Sequence, residues 1–183
     1  GQLMTPRAAN KYMTGFPVAV DNSAYSDWNE GRFIKMLDKL TGKSPMWVAS
    51  PDVVGDAGKT MELFKKWHGE IKIKRGLPIA YVLQDGQENI GLPSPETYDA
   101  VFVGGSTDFK LGPVAARFIS EAKALGKWVH MGRVNTFRRL RYAMSIGCDS
   151  IDGTKFSIEP RIIGVFANWL QKNEKQGCLF FGS

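Results

Sequence analysis

Residues Ala100–Asn135 read AVFVGGSTDFKLGPVAARFISEAKALGKWVHMGRVN. Two apolar runs, AVFVGGS (Ala100–Ser106) and WVHMGRVN (Trp128–Asn135), each close on glycine or polar residues. Between them the period is helical over 112–126, with Pro113 where a first turn tolerates a missing N–H and Gly126 where a terminating glycine belongs. A continuous apolar run, a helix and a second apolar run describe a βαβ unit whose parallel strands are buried on both faces.

The same punctuation recurs outward in both directions. VAVDNSAY (Val18–Tyr25), MWVASPD (Met46–Asp52), IAYVLQD (Ile79–Asp85) and CDSIDGT (Cys148–Thr154) bring the set to six runs. Helices are predicted over 29–41, 56–74, 112–126, 136–146 and 159–173. In the second, Met61, Phe64, Trp67 and Ile71 recur at three- and four-residue spacing, while Lys59, Glu62, Lys65 and Lys66 take the wet side. Gly147 and Pro160 repeat the stop and start signals, and DGQENIGLPSPET (Asp85–Thr97) reads as a long loop. There is no internal repeat, and a single domain over 1–183 is expected. A closed eight-stranded barrel typically takes about 250 residues. The choice therefore lies between an α/β reduced or incomplete (β/α)8 TIM-type barrel, with a possible seventh strand near the start, and an open doubly wound sheet. The order of the polar strand ends favours the barrel through the family resemblance that these segments carry together, since either fold builds its site at strand ends.

Composition narrows the function classes. The chain has 183 residues, 43% of them hydrophobic, which suits one domain with a substantial core. No apolar stretch reaches the roughly 18 to 20 residues of a membrane span, and the start lacks a basic-then-apolar secretory pattern. A soluble protein of the bacterial or phage-infected cytoplasm is expected, with no membrane partner. Cys148 and Cys178 are the only cysteines and His68 and His130 the only histidines, so a structural zinc with Cys-x-x-Cys spacing cannot be assembled. No metal or other cofactor is expected. A net charge of +6 and a pI near 9.3 favour an anionic partner, nucleic acid first.

Taken in order, VDNSAY, SPD, VLQD, VGGS, MGRVN and GCDSIDGT form a series that resembles the active-site segments of the tRNA-guanine transglycosylase superfamily. The resemblance runs from about Phe16 to Phe156. GCDSIDGT carries it most specifically, with two aspartates at the family's Gly-x-Asp-x-x-Asp spacing. It implies Asp152 as nucleophile and Asp21 as acid/base partner. Asp52, Gln84, Gly104 and Gly105 would bind the exchanged heterocycle, and the same correspondence adds Asp149, Met131 and Gly132. Asn22, Ser23 and Ala24 stand where the family usually has Ser-Gly-Gly. The family's zinc-binding Cys/His extension, which helps to hold tRNA, has no counterpart in this sequence. The chain is accordingly more similar to the compact, zinc-free bacterial and phage members that exchange guanine in DNA for a free 7-deazaguanine base.

The chemistry asks for these residue types on its own account. Base exchange breaks an N-glycosidic bond through an oxocarbenium-like transition state, which a carboxylate can stabilise and then capture covalently at C1′. A second carboxylate can carry the proton, and two neighbouring carboxylates tend to have separated pKa values. An Asp can accept from the N1–H and amine of a guanine-like edge, and Gln can both donate and accept. The target nucleotide has to leave its stack first.

Each assignment has a plainer rival. Asp52 and Asp149 could cap helices, and Gly104–Gly105 could simply turn the chain. Asp149 is the alternative nucleophile, although strand alternation puts it on the opposite side from Ser150 and Asp152. His130 reads as a satisfied strand histidine. Arg133, Arg138, Arg139, Arg141, Lys155 and Arg161 concentrate around the last two strands and suit phosphate contacts; a solvated helix face is the alternative for Arg138 and Arg141. Lys72, Lys74 and Arg75 fall at the opposite rim. The rival functions are a compact tRNA-guanine transglycosylase, a non-catalytic nucleic-acid-binding barrel subunit, and a phosphosugar enzyme using Gly104–Gly105.

Overall fold

In the computed structural model seven parallel strands pair in strict chain order: β1 (Gln2–Met4), β2 (Val18–Val20), β3 (Val48–Ala49), β4 (Ile79–Leu83), β5 (Ala100–Val103), β6 (Trp128–Met131) and β7 (Ser150–Ile151). The structure describes residues 1–7, 11–153, 161, 164–165, 168–169 and 171–172. A doubly wound sheet would reverse its order at a switch point. This row never reverses, and it curls into an α/β barrel of the (β/α)8 type that is incomplete, with no pairing between β1 and β7 among the described residues. The possible strand near the start is β1, whose Met4 carbonyl accepts from Asp21 N–H at 2.8 Å.

Strand alternation divides the apolar residues into two layers. Register aligns Val82, Phe102, His130 and Ser150 in one row, and Leu83, Val103, Met131 and Ile151 in the next. The second row faces the helices: α1 (Glu30–Lys39) contributes Phe33, Met36 and Leu37, and α2 (Ala57–His68) contributes Phe64 and Trp67. α4 (Pro113–Ala124) contributes Phe118 and Ile119, and α5 (Phe137–Ser145) contributes Leu140 and Met144. Burying each large apolar side chain contributes about 1.5–3 kcal/mol, so this layer holds the helices against the sheet. The first row lies inside the curl, where Ala19, Ala49, Ala80 and Ala100 leave room for Trp47 and Phe102. These two rings meet edge to face at 5.8 Å.

Four of the five expected helices form close to their predicted limits. The 56–74 stretch is α2 followed by a π-helical turn, Gly69–Ile73, that keeps Ile71 in the core. Asn29, Asp56 and Thr136 cap α1, α2 and α5 through side-chain oxygens that accept backbone N–H groups. One α-helix among the described residues was not expected, α3 (Thr107–Lys110), capped by Ser106, and the loop after β4 holds two short 3-10 turns, Gln87–Asn89 and Pro95–Thr97. The predicted 159–173 helix falls largely outside the described residues. Lys72, Lys74 and Arg75 pair with Asp99, Glu70 and Asp38 away from the site.

Candidate active site

The carboxyl ends of β2, β3, β5, β6 and β7 surround a cavity of about 730 Å³ whose lining includes Asp21, Asn22, Ser23, Tyr25, Asp52, Gly104, Lys110, Gly132, Arg133 and Asp152. Asp152 is the residue after β7 and stands in the inward row, like Ser150 two positions earlier. Its Oδ1 accepts from Arg133 N–H at 2.9 Å, and its Oδ2 lies 3.0 Å from His130 Nε2. His130 is held from behind, with Nδ1 2.8 Å from Ser150 Oγ and its ring between Trp47 and Phe102. Both ring nitrogens are therefore satisfied, as the sequence suggests, but one of them by the proposed nucleophile.

The carboxylates differ in kind. Burial pushes Asp152 up, yet the hydrogen bond and attraction from His130, the Arg133 N–H and the nearby Lys110 outweigh it and leave Asp152 below the usual carboxylate range. Asp21 moves the other way: burial raises it and repulsion from Asp152 adds to that, against a Ser23 N–H at 3.2 Å. Asp52 is raised to about 6, first by burial and then by Asp21, while bonds from Asn22 and Gln84 pull it back. One low group beside one raised group is the arrangement expected of a nucleophile and a proton carrier.

Two residues with side chains take up left-handed backbone at this rim, Ser23 at φ 63° and Arg133 at φ 59°. Such a conformation costs about 1–3 kcal/mol. The two N–H groups so directed are those that meet Asp21 and Asp152.

Asp52 caps no helix; Asp56 does that. Instead its Oδ1 accepts from Asn22 Nδ2 at 2.6 Å and its Oδ2 from Gln84 Nε2 at 2.7 Å. Each amide is oriented in turn, Asn22 Oδ1 by Ala24 N–H and Gln84 Oε1 by Gly55 N–H. Gln84 thus fixes Asp52 and does not line the cavity. Gly104 does line it, and glycine is needed there because a Cβ would stand 2.7 Å from Gln84 Nε2. Gly105 is left-handed at φ 78°, and a Cβ there would meet Asp85 Oδ2 at 2.7 Å; it makes the turn by which Asp85 holds Ser106, and stays out of the cavity.

Other expected residues lie elsewhere. Met131 belongs to the outward row and packs under the helices; its neighbour Gly132 reaches the cavity instead. Asp149 sits at the opposite end of β7, paired with Lys123 at 2.7 Å and accepting from Val129 N–H. Arg133 reaches the cavity with its guanidinium 3.4 Å from the Tyr25 ring centre, and Arg139 stands beside it, 3.4 Å from Thr107 Oγ1. Arg138 and Arg161 are exposed, and Lys155 lies outside the described residues. Cys148 is a buried free thiol whose pKa burial pushes up to about 12, unsuited to nucleophilic work. No group of three or more His, Cys, Asp or Glu side chains among the described residues could hold a metal ion.

Lys110 was not anticipated. It is 5% exposed, lines the cavity and donates to Gly132 O at 3.1 Å. Burial first, then the neighbouring Arg133, lowers its pKa to about 8 against the pull of Asp152.

No family model matches the chain, and neither does any curated protein. Among 57 solved chains that do match is one described as the PaMucR phosphodiesterase in complex with c-di-GMP, at a TM-score of 0.40 and 14% identity over 75% of this chain. The match spans 59% of that protein's length and bears on neither chemistry nor substrate. No helix among the described residues is long and apolar enough to cross a membrane.

Proposed function

We propose that this chain is a base-exchange transglycosylase that replaces guanine in DNA with a 7-deazaguanine derivative. The observation that carries the reading is one cavity lined by Asp21 and Asp152, the first held above and the second below the ordinary carboxylate range. Asp152, ionised, attacks C1′; the C1′–N bond breaks, its electron pair goes to the departing guanine, and the proton on Asp21 follows it. The aspartyl-glycosyl ester then waits for the second base. Asp21 takes the incoming ring's N–H proton, that nitrogen attacks C1′, and the ester bond to Asp152 breaks, so two inversions retain the configuration. Asp52 receives the heterocycle. Each of its oxygens has one lone pair engaged by an amide, which leaves a second to accept the N1–H and the exocyclic amine of a guanine-like edge. Arg133 and Arg139 supply charge for the DNA backbone. Both proposed substrates belong to the cytoplasm of a bacterium or an infected host, and the reading assigns the protein there.

The test is to incubate the protein with labelled 7-deazaguanine and either duplex DNA or tRNA, then to weigh the denatured protein. A nucleic-acid adduct that disappears in Asp152→Asn, with label entering DNA, is the expected result. Label entering tRNA alone overturns the DNA assignment, and an unchanged reaction in Asp152→Asn overturns the mechanism.

A further inference from the structure

Three cations gather on one side of the cavity without an acidic partner. Lys110 ends α3, Arg133 follows β6 and Arg139 lies in the first turn of α5; among the described residues none of the three forms an ion pair within 4.0 Å. Lys110 is almost fully buried yet spends one N–H, on Gly132 O, of the three an ammonium carries. Burying an ammonium with donors to spare is costly unless an anion arrives. The acids that face it are already engaged, Asp152 with His130 and Arg133 N–H, and Asp85 with Ser106. Arg133 sets its guanidinium carbon 3.4 Å from the Tyr25 ring centre, and among the described residues its guanidinium meets no carboxylate within 4.0 Å. Arg139 is held only loosely, at 3.4 Å from Thr107 Oγ1 and from Arg133 O.

We propose that Lys110, with Arg133 and Arg139, forms the seat of the phosphodiester next to the nucleotide whose base enters the cavity. This rests on the reading of the ligand as a polynucleotide. The seat adjoins Asp152 through one short segment, since Lys110 donates to Gly132 O at 3.1 Å, the next residue's Arg133 N–H donates to Asp152 Oδ1 at 2.9 Å, and Lys110, Arg133 and Asp152 line the same cavity. The seat thus fixes the sugar by its phosphate while Asp52 fixes the base, and C1′ is left between them, facing Asp152. The +1 charge of Lys110 is offset by the incoming phosphate, and Asp152 stays ionised beside the remaining cations.

The experiment measures binding of a single-stranded oligonucleotide holding one guanine, by fluorescence anisotropy, with the two linkages flanking that guanine either native or neutral methylphosphonates. Wild type should lose about tenfold in affinity when those linkages are neutralised. Lys110→Met should bind the native strand about tenfold more weakly, with a salt slope smaller by about 1, and respond little to neutralisation. Arg139→Gln, at a half-exposed position, should move the same way and guards against a misfolded Lys110 variant. Equal losses on neutralisation in wild type and both variants would overturn the seat. Coupling without any base exchange would leave the seat standing and remove the transglycosylase reading; exchange without coupling would do the reverse.

Discussion

Asp52, Gln84 and Gly104 show how much of a site a single side chain can depend on. Gly104→Ala drives a methyl group to 2.7 Å from Gln84 Nε2 and 3.0 Å from Leu83 O, so Gln84 must yield and Asp52 loses one of its two orienting amides. The expected outcome is about 1–3 kcal/mol of lost stability, read by urea unfolding, and a higher KM for the incoming base. The pH response of Asp52 has a definite sign. Its pKa rises from 3.8 to about 6 on folding, so its contribution to stability is fullest below pH 3.8 and is lost as pH climbs through about 6. Whatever constant offset Asp52→Asn carries, the midpoint difference between variant and wild type should move in the variant's favour between about pH 4 and pH 6, then level off. On the activity side, base binding needs Asp52 ionised, so kcat/KM for the base should rise through the same range; a flat profile would remove Asp52 from the role. The sequence made Asp21 and Asp152 legible because each follows a strand in the inward phase of alternation, two residues after Ala19 and Ser150, whereas Asp52, three residues after Ala49, was legible only as the polar end of an apolar run. It misled at Met131, one position out of phase, and at Asp149, at the wrong end of its strand. Lys110 and the support of Asp152 by His130 were hidden, since both depend on contacts between residues 22 or more apart.

Among the elements, those with a full period and a cap were the readable ones. α1, α2, α4 and α5 each carry an apolar stripe long enough to signal a helix. α3 has four residues and no stripe, and only Ser106 three positions before Phe109 hints at it. That short turn is what carries Lys110 under the cavity, so the missed element and the missed residue are one omission. α5 matters to the site as well, since it holds Arg139 and begins four residues after Arg133. Thr136 Oγ1 accepts Arg139 N–H at 3.2 Å. Thr136→Ala should cost about 1 kcal/mol in thermal or urea unfolding, whereas Thr136→Ser should retain most of that stability. Equal losses in the two variants would show that the cap contributes nothing.

Across the whole molecule, six runs with polar ends were enough to indicate a parallel α/β sheet with its site at one rim. Their order favoured a curled sheet, as found, but did not show what makes it curl, because curl depends on which residues face inward together. Four alanines opposite Trp47 and Phe102 settle that physically, as flat packing would leave voids beside the two rings. Ala100→Leu adds three carbons to this filled interior and should cost about 1–3 kcal/mol, measured by urea unfolding; an unchanged midpoint would mean the interior is looser than its contacts indicate. The same curl has a consequence for the chemistry. Asp21 and Asp152 belong to strands at nearly opposite ends of the row, and no ladder runs directly between β2 and β7. Their separation is set like the gap of a horseshoe, by small bends summed over the strands between. A substitution that relaxes the bend far from either carboxylate should widen the gap, weaken their mutual repulsion and draw the two titrations together.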